Sequence, residues 1–231
     1  MATQLIIDAE TLAAVMQEPP SPAAQLAIQA ANYANAGDSL AAANLLAQAE
    51  TQSPSIAVLF LAFQFYFRSG MHADALRVAN ARIERCKQHN DARQHARALA
   101  NLALVHLALN KTDAAFTAAT QAFAIDEHSG DALAISRNLG TLAQVHEARA
   151  HWQLAHDTYI EALRFAEQTG EPAHIATKIA NLGDVCLAQG NRTAAIDYWQ
   201  RAIPLLQRAG KHTWAAECRA KLDRVLASLT T

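Results

Sequence analysis

A spacing of forty residues constrains this chain more than any other feature. Asn90, Gly130, Gly170 and Gly210 stand forty apart; so do Ala75, Ala115, Ala155 and Ala195, and so do Phe65, Val105, Val145 and Val185. Three positions held in register over four units mark a stacked-repeat architecture, in which each unit buries a face against the next. Composition agrees with this. Alanine supplies 54 of the 231 residues, so the apolar content is mostly small side chains. Such residues favour helices that approach one another closely. No stretch alternates cleanly with period two, so strands are not expected.

Charge and cysteine usage exclude several function classes. The formal net charge is -2, from 19 basic and 21 acidic residues. A nucleic-acid binder usually carries a basic stripe, and none is visible. The densest basic run, Arg77, Arg82, Arg85 and Lys87, alternates with Glu84 and reads as a solvated helix face. Cys86, Cys186 and Cys218 are far apart and form no CxxC, so a reduced compartment fits better than a disulfide framework. The opening MATQLIIDAETLAAVMQ lacks a basic n-region and carries Asp8 and Glu10, unlike a signal peptide. The richest apolar run, Ile56–Phe67, is too short for a membrane span and is interrupted by Gln64. A cytoplasmic protein without membrane insertion is expected.

Local signals place the elements. Thr3–Gln17 reads as an amphipathic helix with Leu5, Ile6, Leu12, Val15 and Met16 on one face. The run Glu18-Pro19-Pro20-Ser21-Pro22 ends it, with Ser21 an N-cap and Pro22 the first position of the next helix. Helix pairs follow: Ala23–Ala36 with Ser39–Thr51, Ser55–Ser69 with His72–Gln88, Ala92–Leu109 with Thr112–Glu127, Ala132–Arg149 with Trp152–Gln168, and Ala173–Gln189 with Arg192–Arg208. Thr213–Ser228 repeats a first helix, since Leu182 and Val185 map onto Leu222 and Val225, and is expected to cap the stack. The chain thus divides into an N-terminal helix and Pro-rich break (1–22), five helix pairs (23–212) and a C-terminal cap (213–231). Gly37, Gly70, Asn110 and Gly190 fall at turns inside pairs, where positive φ is needed. Ala150 occupies the same slot and makes that turn less secure.

The pattern resembles the tetratricopeptide repeat. The fifth repeat carries it best, in Leu182, Gly183, Gly190, Ala195, Trp199 and Ala202. The fourth gives Leu142, Ala143, Ala155, Tyr159 and Ala162; the third gives Leu102, Ala103, Ala115 and Ala122. The second gives Phe63, Tyr66, Gly70 and Ala75, and the first Ala30, Gly37 and Ala42. The forty-residue unit resembles the long-repeat branch found in kinesin light chains, LGN-type adaptors and bacterial MalT-type and Rap-type regulators. The resemblance implies an all-α, right-handed superhelical α-solenoid of antiparallel helix pairs, about five repeats plus a cap. It also implies a concave groove, lined by the first helices, that takes a peptide or protein.

Candidate groove residues follow from that expectation. Asn101 and Asn181 occupy equivalent places; in long-repeat relatives an Asn there bonds the peptide backbone, for which an amide is suited. Arg97 and Arg137 lie one turn earlier and could hold carboxylates, as in carboxylate-clamp repeats. The alternative is exposed arginines paired with neighbouring carboxylates. Gln144 and Asp184 complete the polar lining. Helical phasing turns Phe63 and Tyr66 inward and leaves Phe60 and Phe67 beside Gln64 as apolar anchors, unless all the aromatics pack in the core or the N-terminal helix covers them. His106 and His146 read as partly buried packing residues, and Cys186 as a small buried hydrophobe. No metal-ligand set, nucleophile motif or phosphate-binding loop is present, so no catalytic, cofactor or metal site is expected.

The leading expectation is a non-enzymatic adaptor that binds a protein or peptide in the groove. The alternatives are a regulatory sensor for a signalling peptide or small effector, and a dedicated assembly or secretion chaperone. A weak homodimer through the less polar N-terminal end is also expected.

Overall fold

A computed structural model describes residues 7–228. Among the described residues there are twelve α-helices and no strand. A short α1 (Ala9–Met16) precedes α2 (Pro22–Asn35) and α3 (Ser39–Glu50), then α4 (Ile56–Arg68) and α5 (His72–Gln88). After these come α6 (Ala92–Ala108), α7 (Thr112–Ser129), α8 (Ala132–Ala148) and α9 (Trp152–Thr169). The last three are α10 (Pro172–Ala188), α11 (Arg192–Arg208) and α12 (His212–Ala227). Every helix expected from the sequence is present, with ends shifted by a residue or two except at α1. There the helix begins at Ala9; Thr3, Leu5 and Ile6 lie outside the described residues. Val15 is buried, but Met16 is exposed, so the apolar face of α1 is narrower than expected.

Side chains at the starts fix where helices begin. Ser21 accepts from Ala24 N at 3.1 Å with Pro22 at the first helical position, as its sequence suggests. Asp38, Ser55, Asp91, Asp131 and Asn191 cap α3, α4, α6, α8 and α11 in the same way. Each such cap is worth about 1 kcal/mol. Turns close through left-handed residues, and Ala150 joins the glycines and asparagines with φ of 56°. The turn is therefore made despite its Cβ, which costs about 1–2 kcal/mol in that region. Hydrogen bonds from Ala150 N to Glu147 O (2.8 Å) and from His151 N to His146 O (2.9 Å) hold it there.

The chain forms two compact units, the first ending at Lys111 and the second beginning at Thr112. In the first, α1 packs on α2 and α4, and α5 lies between α4 and α6. Its core holds Leu46, Leu61, Phe65, Tyr66 and Val78. Phe63 is buried as well, while Phe60, Gln64 and Phe67 are half-buried, as helical phasing requires. In the second unit consecutive helices from α7 to α12 pack in order around Tyr159, Leu182, Val185, Trp199 and Leu206. Gly183 is needed there: a Cβ would meet Trp199 Nε1 at 2.6 Å. The three cysteines are unpaired and buried, and burial pushes each thiol pKa up. Among the described residues, no helix is long and apolar enough to cross a membrane.

Candidate functional site

The site with the least settled chemistry lies in the first unit. A cavity of about 460 Å³ opens between α1, α4, α5 and the first two turns of α6. Glu10 and Glu18 flank it, Phe60 and Gln64 project from α4, Arg82 from α5 and Arg97 from α6. Asp8 and Asp91 also line it, but each is committed to a helix start, accepting from Thr11 N at 2.8 Å and Gln94 N at 3.0 Å.

Arg82 dominates this cavity. Its run reads in sequence as a solvated face, and for Arg77 and Lys87 that holds: both are about half exposed, and each has an exposed carboxylate partner on α5, Asp74 and Glu84. Arg82 is the correction, at only 1% exposed. The reason is register. Arg82 stands where the forty-residue repeat places Ala122, Ala162 and Ala202, all fully buried. Its guanidinium Nη2 donates to Gln94 Oε1 at 2.7 Å, while Nε and Nη1 find no partner. Its carbon centre lies 4.5 Å from the Phe60 ring centroid, and that of Arg97 lies 5.3 Å from the same centroid. Burial lowers the Arg82 pKa to about 10; Cys86 and Asp91 act against that fall, and Arg97 adds to it. The group stays cationic at neutral pH. One amide bond and a ring contact offset only part of the cost of burying a charge without a carboxylate. Gln64 Oε1 is also buried without a partner. These features suit a cavity whose floor accepts an anionic group beside an aromatic surface.

The other expected groove residues are distributed differently. Phe60 and Arg97 meet in the cavity; Phe67 does not, and stacks on Phe63 with ring centroids 5.6 Å apart. Asn101 is half-buried on α6. In the second unit Arg137 is half-buried and Gln144 exposed. Asn181 is half-buried on α10 near Tyr159, whose hydroxyl donates to Glu147 Oε1 and whose pKa is raised chiefly by burial. Asp184 links α10 to α11 and α12: it accepts from Trp199 Nε1 at 3.1 Å and from Lys221 Nζ at 2.7 Å. His106 and His146 are half-buried, with Nδ1 unpartnered. A larger hollow of about 560 Å³ between α3 and α5 carries less open chemistry, because Arg77 pairs with Glu50 and Arg85 bonds the carbonyls of Ser53 and Pro54. Among the described residues, no three His, Cys, Asp or Glu side chains are grouped to hold a metal ion.

No protein-family model matches the chain, and no curated protein matches it in sequence. Solved structures match it in fold. The apo form of RapI superposes with a TM-score of 0.72 at 13% identity, over 85% of this chain and 74% of that one. A signal-transduction ATPase with a tetratricopeptide repeat sensor from Pyrococcus horikoshii gives 0.70 at 17% identity, over 92% of this chain and 33% of that protein. The Rap conjugation gene regulator of plasmid pLS20, in complex with the Phr* peptide, gives 0.67 at 14% identity, over 87% of this chain and 56% of that one. Identities this low carry the fold alone. The chain is a tetratricopeptide-like helical repeat protein, an all-α solenoid of helix pairs.

Proposed function

We propose that the chain is a non-enzymatic protein- or peptide-binding scaffold whose first-unit cavity seats a carboxylate-bearing group of its partner. The observation that carries this reading is Arg82, a buried guanidinium with two unpartnered nitrogens beside Phe60 and Arg97. A carboxylate supplies the missing acceptors, and the Phe60 ring offers contact to the carbons behind it. Glu10 and Glu18 on the α1 side favour a partner that is cationic a few atoms further on, as a peptide of mixed charge is. A stack of packed helices presents such a surface with little ordering cost on binding.

The test is fluorescence anisotropy with labelled peptides carrying Glu or Asp, against the same peptides carrying Gln or Asn. Wild type should prefer the acidic member of each pair, and Arg82→Met should lose that preference by roughly tenfold or more, as truncating one partner of a buried charged bond does. Phe60→Ala and Arg97→Ala should each weaken binding. Equal binding of acid and amide peptides by wild type would sink the assignment.

A sensor is the second reading, favoured by the fold shared with a peptide-bound Rap regulator and with a repeat sensor. It requires that occupancy of the cavity change the affinity for a second partner.

A further inference from the structure

The second unit breaks its own repeat at one buried position. Ala98, Asn138, Lys178 and Cys218 stand forty apart, and all four are buried. Small or neutral residues suit that place. Asn138 is satisfied there, donating from Nδ2 to Asp126 Oδ2 at 2.8 Å. Lys178 is only 5% exposed, and the residue forty on from Asp126 is Ala166, so no carboxylate waits for it. Among the described residues no hydrogen bond or ion pair reaches its ammonium.

A second departure answers the first. Ala100, Ala180 and Ala220 occupy one register position, and in α8 that position is Gly140. A Cβ built there would lie 2.2 Å from Lys178 Nζ. Glycine inside a helix is less favourable than alanine, so the notch has to be explained by what fills it. The ammonium lies across the bare α8 backbone, and the group acting on it there is another cation, Arg137, three residues before Gly140. His174, one turn before Lys178 on α10, feels Lys178, Arg137 and Lys211 together, with Glu171 the acidic group beside it. Arg137 from α8 and His174 from the preceding turn of α10 thus neighbour a buried ammonium that has no anionic partner.

We propose that Lys178, with Arg137 and His174 beside it, forms an oxyanion-binding site over the Gly140 notch, taking a carboxylate or a phosphate group. The site lies wholly in the second unit and is independent of the Arg82 cavity. An ammonium is a compact point charge with three donors, and one small oxyanion supplies the acceptors that the fold withholds. Burial depresses the lysine pKa to about 8, Arg137 adds to the effect, and no anion nearby offsets the fall.

The test is isothermal titration of the whole chain, at pH 7 and moderate salt, with inorganic phosphate in one arm and a short acetylated Glu-containing peptide in the other. Wild type should bind at least one probe, and Lys178→Met should weaken it by roughly tenfold or more, the usual scale for losing a charged bond. Arg137→Gln should weaken it less. The arm that responds names the source of the oxyanion. Thermal melts keep the result interpretable. Lys178→Met should melt no lower than wild type, and the responding probe should raise the wild-type midpoint without raising that of the variant. Failure of both probes on wild type, or equal binding by Lys178→Met, would overturn the proposal. Binding lost together with a markedly lowered midpoint would also overturn it, since Lys178 would then be a structural residue.

Discussion

Arg82 and Lys178 pose the same problem in the two units, and the units answer it differently. Each is a cation at a repeat position that elsewhere holds a small or neutral side chain. The first unit surrounds its guanidinium with an amide oxygen, an aromatic ring and an open cavity. The second gives its ammonium only a missing methyl group on the facing helix. The difference follows from the chemistry of the two ions. A guanidinium is flat, weakly hydrated and content against a ring; an ammonium is strongly hydrated and yields its proton when buried. Buried columns of a repeat can therefore host a durable cation or a proton-labile one, according to the residue placed there.

The contrast can be broken by substitution, with opposite signs expected. Arg82→Ala should show the largest effect, a loss of about 3 kcal/mol, because it leaves a void under Phe60 and strands Gln94. Urea unfolding at pH 7 reads it, and a change near zero would mean that the guanidinium contributes no packing. Lys178→Met should gain about 2 kcal/mol under the same conditions, since an unpaired buried charge is replaced by an apolar stem of similar volume.

That gain should depend on pH in a defined direction. The folded-state lysine titrates near 8, below its ordinary 10.5. Between those values the unfolded chain holds a proton that the folded chain has released, so the residue's share of stability rises with pH. The advantage of Lys178→Met over wild type should thus be full below pH 8 and fade toward pH 10. An advantage that grew with pH would contradict the assignment.

Gly140→Ala should have the smallest effect. Its propensity gain of about 1 kcal/mol should be masked in wild type by pressure on Lys178 and appear only in the Lys178→Met background. A double-mutant cycle measures that coupling.

Much of the fold was legible in the sequence because the repeat encodes it locally. Caps such as Ser21 and turn residues such as Gly130 act within a few residues, and the forty-residue register carries them from unit to unit. Ala150 shows the limit of the local reading: its turn forms with a left-handed alanine, closed by the backbone bonds from Ala150 N and His151 N. The candidate site was half legible. Helical phasing found Phe60, and repeat equivalence found Arg97. Arg82 was missed because a run of charges looks like a wet surface when read by composition. Read by register, the same residue falls on the buried alanine column, and Lys178 falls on a buried column in the same way. The ion pair of Asp184 was not legible for another reason. Its partner Lys221 lies 37 residues away, and no spacing rule relates the two. The boundary between units at Lys111 likewise has no compositional mark.

The buried thiols give the molecule two internal clocks. Cys86 belongs to the first unit, and Cys186 and Cys218 to the second. Their raised pKa values and burial keep them from reacting with a disulfide reagent while the helices around them stay closed. The rate at which each thiol is consumed therefore counts openings of its own half of the repeat array. Equal rates in dilute denaturant would describe a chain that opens as one cooperative body. Separate rates would assign each half its own lifetime, as nearest-neighbour repeat energetics allow.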